Sequence, residues 1–422
     1  MNISYIDLAI IAIYLIGIVI VGIWVGNGFK KQTSGDYFLA GRSLGWGVVG
    51  ASLFASNIST IHIVGFAESG FTSGLSDGIF EWMAIPCLVF LGIFIAPYYF
   101  RNKITTIPEY IEKRFDGTSR TFMVIFAILT ALLIHIGISL YAGATIMKEF
   151  FGLDQLWGVL LISILTALYT VLGGLKAVAV TETIQSVMLL GGSILITVFG
   201  LYMLPKAGIH DFADFKAHIR PGSLSMMRSD ATVAQTGGIP WYAVFLGYPV
   251  LGIWYWFTDQ TIVQRSLGSK SERDARLGPM FTAVLKLAPV FFMLLPGLLA
   301  YILYKEKIDS AGGGQTYSIL VHELLPVGLV GLVIASLLAA LMSSVAAALN
   351  SSSTLVSLDI IKRLRPQTSD AKLVNIGKIT ALAVMVISIL FSMVAGSKGG
   401  SIITIVNSIG SSIAPSISAV FI

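Results

Sequence analysis

The stretch GWGVVGASLFASNISTIHIVGFA, residues 45–67, is long enough to cross a bilayer as a helix, because a hydrocarbon core takes about 20 residues. Its middle is polar: Ser52, Ser56, Asn57, Ser59, Thr60 and His62 follow one another within eleven positions. Small hydroxyl residues let membrane helices pack closely, and for one serine that explanation suffices. A cluster containing an asparagine demands more. Irregular backbone is tolerated inside a membrane only where it lines a protein-enclosed or water-filled cavity. The string GASLFASNIST is therefore expected to unwind and to offer free carbonyls to a cation.

Working outward, ten further apolar runs of similar length predict helices near 5–25, 78–100, 121–147, 155–174, 181–204, 240–261, 277–304, 326–348 (running on to 361), 374–396 and 401–422. Apolar residues make up 55% of the 422 positions and charged ones 12%, far from the soluble average of about a quarter charged. The expected class is an all-α membrane protein of about eleven spans. The first run lacks a basic leader and a small-residue cleavage site, so it reads as a retained helix. The single cysteine, Cys87, lies in an apolar run and reads as packing, with no intrachain disulfide framework possible.

A net charge of +5 does not indicate nucleic acid here, because the cations are spread over loops. Loops after the odd-numbered spans hold 18 of the 27 Lys and Arg, from Lys30, Lys31 and Arg42 to Lys372 and Lys378, and the opposite loops hold eight. The positive-inside rule then places the amino terminus outside. The remaining cation, Lys286, falls inside a span, as do Glu81 and Asp259. A membrane-embedded charge costs several kcal/mol, so each needs a partner, a cavity or a route to the interface, and Asp259 lies close in sequence to Arg265.

A second polar group, Ser343, Ser344, Asn350, Ser351, Ser352 and Ser353, follows LLAALM in the ninth span. Hydroxyls of Ser343 and Ser344 joined to carbonyls freed at the break in span two make an oxygen site without a carboxylate. Calcium and magnesium usually recruit acidic ligands, so sodium is favoured. No phosphate-binding loop, His/Cys metal spacing or Ser-His-Asp constellation points to an enzyme.

Six strings together resemble the sodium/solute symporter family, in its sodium–glucose cotransporter branch: GASLFASNIS at 50–59, FEWMA at 80–84, TIPEYIEKRF at 106–115, YTVLGGLKAVAVTETIQ at 169–185, WYWFTDQTIVQR at 254–265 and ALMSSVAAALNSSSTLVSLDI at 340–360. The resemblance implies a leucine-transporter-like core, a five-plus-five inverted repeat behind one leading helix. The leading helix is 5–25, the repeats are about 45–204 and 240–422, and the family's further C-terminal helices are expected to be missing. It implies a sodium site on the carbonyls of Ala55, Ile58 and Ala340 and the hydroxyls of Ser343 and Ser344. Sugar contacts are implied at Asn57, His62, Glu81, Tyr255, Trp256, Lys286 and Asn407.

That set suits a polyol, with polar groups for hydroxyls and aromatic faces for C–H surfaces. The expected activity is symport of a glucose- or galactose-like monosaccharide with Na+ across the cell membrane, with no nucleic-acid partner and no obligate protein partner. Myo-inositol, a non-sugar solute, or a sensor or channel that does not concentrate its ligand are the alternatives. Departures from the family pattern shape two expectations. Asn407 stands where the branch's sugar carriers have Gln, which leaves the sugar open. Ala346 and Ala347 stand where members with a second sodium site carry hydroxyls, and Glu182 replaces a nearby Asp, so one sodium per solute is expected. His135 and Ser139 occupy positions where some members carry Lys and Asp, and His135 reads as a satisfied packing histidine.

Overall fold

The computed structural model describes residues 3–27, 32–397 and 401–422, with side chains left undescribed at a few further positions that include Asn407. Helix accounts for 84% of it and no strand occurs among the described residues. The principal helices are α1 (Tyr5–Asn27), α2 (Trp46–Asn57), α3 (Thr60–Ser73), α4 (Gly78–Arg101), the surface helix α5 (Ile107–Arg114), α6 (Gly117–Phe151), α7 (Gln155–Met203), α8 (Trp241–Ile253), α9 (Gln260–Leu267), α10 (Glu272–Ala311), α11 (Leu329–Leu364), α12 (Asp370–Ser397) and α13 (Ser401–Phe421).

Seven described helices are long and apolar enough to cross a membrane, and the bent pair α2–α3 makes an eighth. The other three expected spans follow from two features. Helix α7, counted once above, serves two expected spans, and its helical path breaks at Gly174 (φ 62°, ψ −163°), so one glycine does the work expected of the loop around Lys176. Helix α8 is 13 residues long and its π-wound continuation stops at Asp259, while in α13 the described apolar stretch is Ser412–Phe421.

The expected break in span two lies at Ile58 and Ser59. Both are extended (φ −85°, ψ 104° and φ −95°, ψ 169°), and α2 and α3 meet at 62°. Ser59 starts α3, and its own N–H is taken by His62 Nδ1 at 3.2 Å, which replaces a lost backbone partner with a side chain three residues on. The second break follows α8. One π-wound stretch, Trp254–Thr258, leads to extended Asp259, and Asp259 Oδ1 accepts the Thr261 N–H at 2.8 Å to cap α9.

Helix α11 is the centre of the bundle, with every residue from Val333 to Thr354 buried. Its run of Ala and Ser lets neighbours approach closely. By contrast α1 turns Ile13, Ile16, Ile20 and Trp24 outward at helical spacing, as a lipid-facing stripe requires. Its one buried charge, Asp7, is explained by α11: Oδ1 accepts the backbone N–H groups of Gly328 and Gly331 at 2.8 and 2.7 Å. These are unpaired donors at a helix start, favourable partners for a carboxylate. Helices α3 and α10 cross where a Cβ on Gly297 would meet the Ala67 carbonyl at 2.0 Å, so that crossing requires glycine.

Candidate functional site

Between the two breaks lies a cavity of about 630 Å³. Its walls come from α2, α3, α4, α6, α8, α10 and α11, and it reaches Asp77 and Ile239 at one end and His135, Tyr255 and Ser344 at the other. Glu81 sits in the first turn of α4, where the helix dipole favours an anion. Lys286 closes the first half of α10 just before Pro289, at a helix end that favours a cation. Their side chains meet across the cavity wall at 2.6 Å, both buried.

The ammonium also donates to Asn57 Oδ1, and Asn57 Nδ2 donates to the Tyr255 hydroxyl at 3.0 Å. Glu81, Lys286, Asn57 and Tyr255 thus form one chain of hydrogen bonds running from α4 through α10 and α2 to the π-wound stretch after α8. The burial cost that Glu81 and Lys286 raised in the sequence is met by their pairing. His62 also borders the cavity. A backbone N–H can only donate, so Nδ1 of His62 accepts, and its ring proton belongs on Nε2.

Two of the seven sequence-derived contacts stand apart. Trp256 does not border the cavity; it is buried behind Tyr255, ring centroids 5.0 Å apart, with the Lys286 ammonium 5.6 Å from its ring. The side chain of Asn407 lies outside the described residues. The structure adds Tyr248, Trp254, Phe80 and Asp77 to the wall, aromatic and acidic residues whose apolar surroundings gave no separate signal in the sequence.

The oxygen site forms beside this cavity. The Ser343 hydroxyl donates to the carbonyls of Ala55 at 2.8 Å and Ala340 at 2.9 Å, and Ser344 donates to Ala340 at 3.2 Å. Ala55 belongs to the last turn of α2, whose carbonyls have no further helix to donate to them, and Ile58 follows at the break. Carbonyl and hydroxyl oxygens dominate the set, and no group of three or more His, Cys, Asp or Glu side chains with metal-site geometry occurs among the described residues. This chemistry fits a monovalent hard cation. Ser344 also borders the solute cavity, so the two sites share a residue.

Asp259 does not pair with Arg265, its near neighbour in sequence. His135 Nε2 lies 2.8 Å from Asp259 Oδ2, while Arg265 pairs with Glu182 at 2.6 Å. Glu182 also accepts from Ser56 at 3.0 Å and from Ser52. The guanidinium is satisfied by a fully buried carboxylate 83 residues away in sequence and not by the one six residues before it. His135 is therefore both a satisfied histidine and a cavity residue.

Two broken helices around a polar cavity, an oxygen site shared between one break and a long helix, and spans long enough for a bilayer define a cation-coupled membrane transporter. Residues 37–422 match the Sodium:solute symporter family, and the chain belongs to that family. It is 33% identical to Sodium/glucose cotransporter 2 of Rattus norvegicus and 34% identical to Sodium/glucose cotransporter 1 of Oryctolagus cuniculus, in each case over 99% of this chain and 67% of the relative. Among solved structures it resembles the substrate-bound outward-open state of a Na+-coupled sialic acid symporter, with TM-score 0.79 and 25% identity over 94% of this chain and 84% of the other. MhsT in complex with L-phenylalanine shares the fold at TM-score 0.59 and 16% identity, over 88% and 86% of the two chains. The chain is a multi-pass membrane symporter that couples solute movement to Na+, and not an enzyme.

Proposed function

We propose that this symporter imports a neutral monosaccharide of the glucose or galactose type with one Na+ by alternating access. The observation that carries the reading is the Glu81–Lys286–Asn57–Tyr255 chain on the cavity wall. It offers alternating donors and acceptors, and every charge in it is already balanced. The His135–Asp259 pair at the far end adds no unbalanced cation. An acidic solute would have to be paired by a cation that the cavity already spends on its own carboxylates, whereas a polyol only exchanges hydrogen bonds. Glucose, the sugar in the names of the two similar cotransporters, agrees with this chemistry.

In this reading Asn57, His62, Glu81, Tyr255, Lys286 and Asn407 contact the sugar, and Trp256 backs Tyr255. Ala55, Ile58, Ala340, Ser343 and Ser344 hold Na+. Residues 45–204 and 240–422 are the two repeats, and the amino terminus faces outside the cell membrane. The cavity reaches Asp77 and Ile239, on the face away from the basic loops, so the arrangement is outward-facing. Sodium ties the α2–α3 break to α11 and favours that arrangement; the sugar fills the cavity, and the broken helices then swing against α6 and α11. A ligand shifts such an equilibrium only by its differential affinity for the two states.

One inward charge contributes ~2.3 kcal/mol per 100 mV and a tenfold sodium gradient ~1.4 kcal/mol, together enough for roughly 500-fold accumulation. One ion per sugar therefore suffices for scavenging. The test is sodium-gradient-driven uptake of labelled hexoses, pentoses, inositol and sialic acid into proteoliposomes, with counterflow to separate a carrier from a sensor. Uptake of an acid in preference to every neutral sugar would overturn the reading.

A further inference from the structure

We propose that His135 and Asp259 form a latch that holds the inner end of the solute cavity shut, so that both are positioning residues of the transport cycle. The proposal rests on the outward-facing reading above. Asp259 is the residue at which the second broken helix leaves helical geometry, with extended backbone between the π-wound Trp254–Thr258 and α9. Its two carboxylate oxygens are divided. Oδ1 caps α9 through the Thr261 N–H, and Oδ2 reaches His135 Nε2, each at 2.8 Å.

His135 lies in the π-wound stretch Ala131–Ile138 of α6, which packs on α11 and α12. Widened turns of this kind inside long helices often mark functional positions. The contact therefore joins a broken helix to the group of unbroken helices against which it must move. His135 borders the cavity and its ring lies 6.5 Å from that of Tyr255, while Asp259 is buried just beyond. From Asp259, α9 runs toward the basic face, where Leu44 and Ser269 meet.

A solute leaving toward that face must pass the point where α9 begins, and it can do so only when Asp259 parts from α6. The other cavity charges do not duplicate the tie: Glu81 and Lys286 neutralise each other, and Asp77 accepts from the Ser69 hydroxyl of α3 at 2.6 Å. Arg265, further along α9, is committed to Glu182 on α7, which leaves the link to α6 to Asp259. Losing the latch populates the inward-facing state, and the apparent sodium affinity falls by the fraction of molecules still able to bind from outside.

The experiment is a double-mutant cycle on the half-saturating sodium concentration for solute uptake in proteoliposomes. Asp259→Ser keeps a helix-capping oxygen but cannot reach His135, and His135→Ala removes the other partner. Each is expected to raise the sodium requirement about tenfold, the double variant no further than either, and His135→Lys, which can still pair with Asp259, to stay close to the parent. Effects that multiply in the double variant, or singles that leave the sodium requirement unmoved, overturn the latch. Where a variant is too unstable for uptake, the sodium concentration that half-protects the detergent-solubilised protein against thermal unfolding is compared in the same cycle, with the same outcomes. Labelling of Ile239→Cys in a Cys87→Ser background from one side of the membrane reports separately on the direction of the cavity. Coupled variants that lower the sodium requirement overturn the outward-facing reading, and with it the side the latch closes.

Discussion

The ammonium of Lys286 lies 2.6 Å from the carboxylate of Glu81, although 205 residues separate them and both are buried. Each makes the other tolerable in a low-dielectric interior. The same contact leaves the remaining lone pairs and N–H groups of the cavity wall for a solute.

Breaking this pair from one side leaves a charge buried alone, which costs about 3–5 kcal/mol. Lys286→Met is therefore expected to lower thermal stability in detergent by that order and to abolish uptake. The double variant Glu81→Gln with Lys286→Met should recover most of the stability and none of the transport. A double variant as unstable as the single would mean that the pair is not the source of the loss.

Ser343 bridges the end of α2 to α11 through the Ala55 carbonyl, and its oxygen belongs to the proposed sodium site. Ser343→Ala and Ser344→Ala should each raise the half-saturating sodium for uptake about tenfold, equivalent to ~1.4 kcal/mol of lost ion binding. Uptake at saturating sodium should largely persist. Unchanged sodium dependence in both variants would remove these residues from the site.

Gly174 has a positive φ and faces the Tyr37 carbonyl, which an added Cβ would meet at 2.6 Å. Gly174→Ala combines a strained backbone, at about 1–3 kcal/mol, with a clash against main chain. The expected result is poor yield of folded protein and a lowered thermal midpoint, whereas Gly191→Ala, with open space around it, should behave as the parent.

Arg265 and Glu182 are fully buried partners. Arg265→Met should destabilise the fold by about 3–5 kcal/mol because Glu182 is left charged without a counterion, and adding Glu182→Gln should restore part of that loss. Thermal unfolding of the two variants side by side distinguishes a structural pair from independent positions.

Much of this architecture is legible in the chain itself. The break in span two was readable because Ser56, Asn57 and Ser59 supply polar groups where lipid tolerates none, and the structure breaks at Ile58 and Ser59. The serine pair in α11 was readable for the same reason, and its Ser343 reaches the end of α2. Partner choice was not. Asp259 stands six residues from Arg265, yet its carboxylate turns to His135, while Arg265 takes Glu182. Asp7, in the first span, gave no sign that it caps a helix beginning more than 300 residues later. Trp256 looked like a sugar-facing ring beside Tyr255, but adjacent residues on a helix point about 100° apart, and only one of them meets the cavity.

By itself the sequence determined that the chain lives in a bilayer, roughly where its helices run, and which of its few intramembrane polar residues demand an explanation. The reason is that lipid excludes unpaired charge and unpaired backbone so strongly that each exception is visible residue by residue. Only the tertiary structure decided how those exceptions satisfy one another. Lys286 found Glu81, Asp259 found His135 and Ser343 found Ala55 because close packing of distant helices, not spacing along the chain, sets which polar groups come within hydrogen-bonding reach.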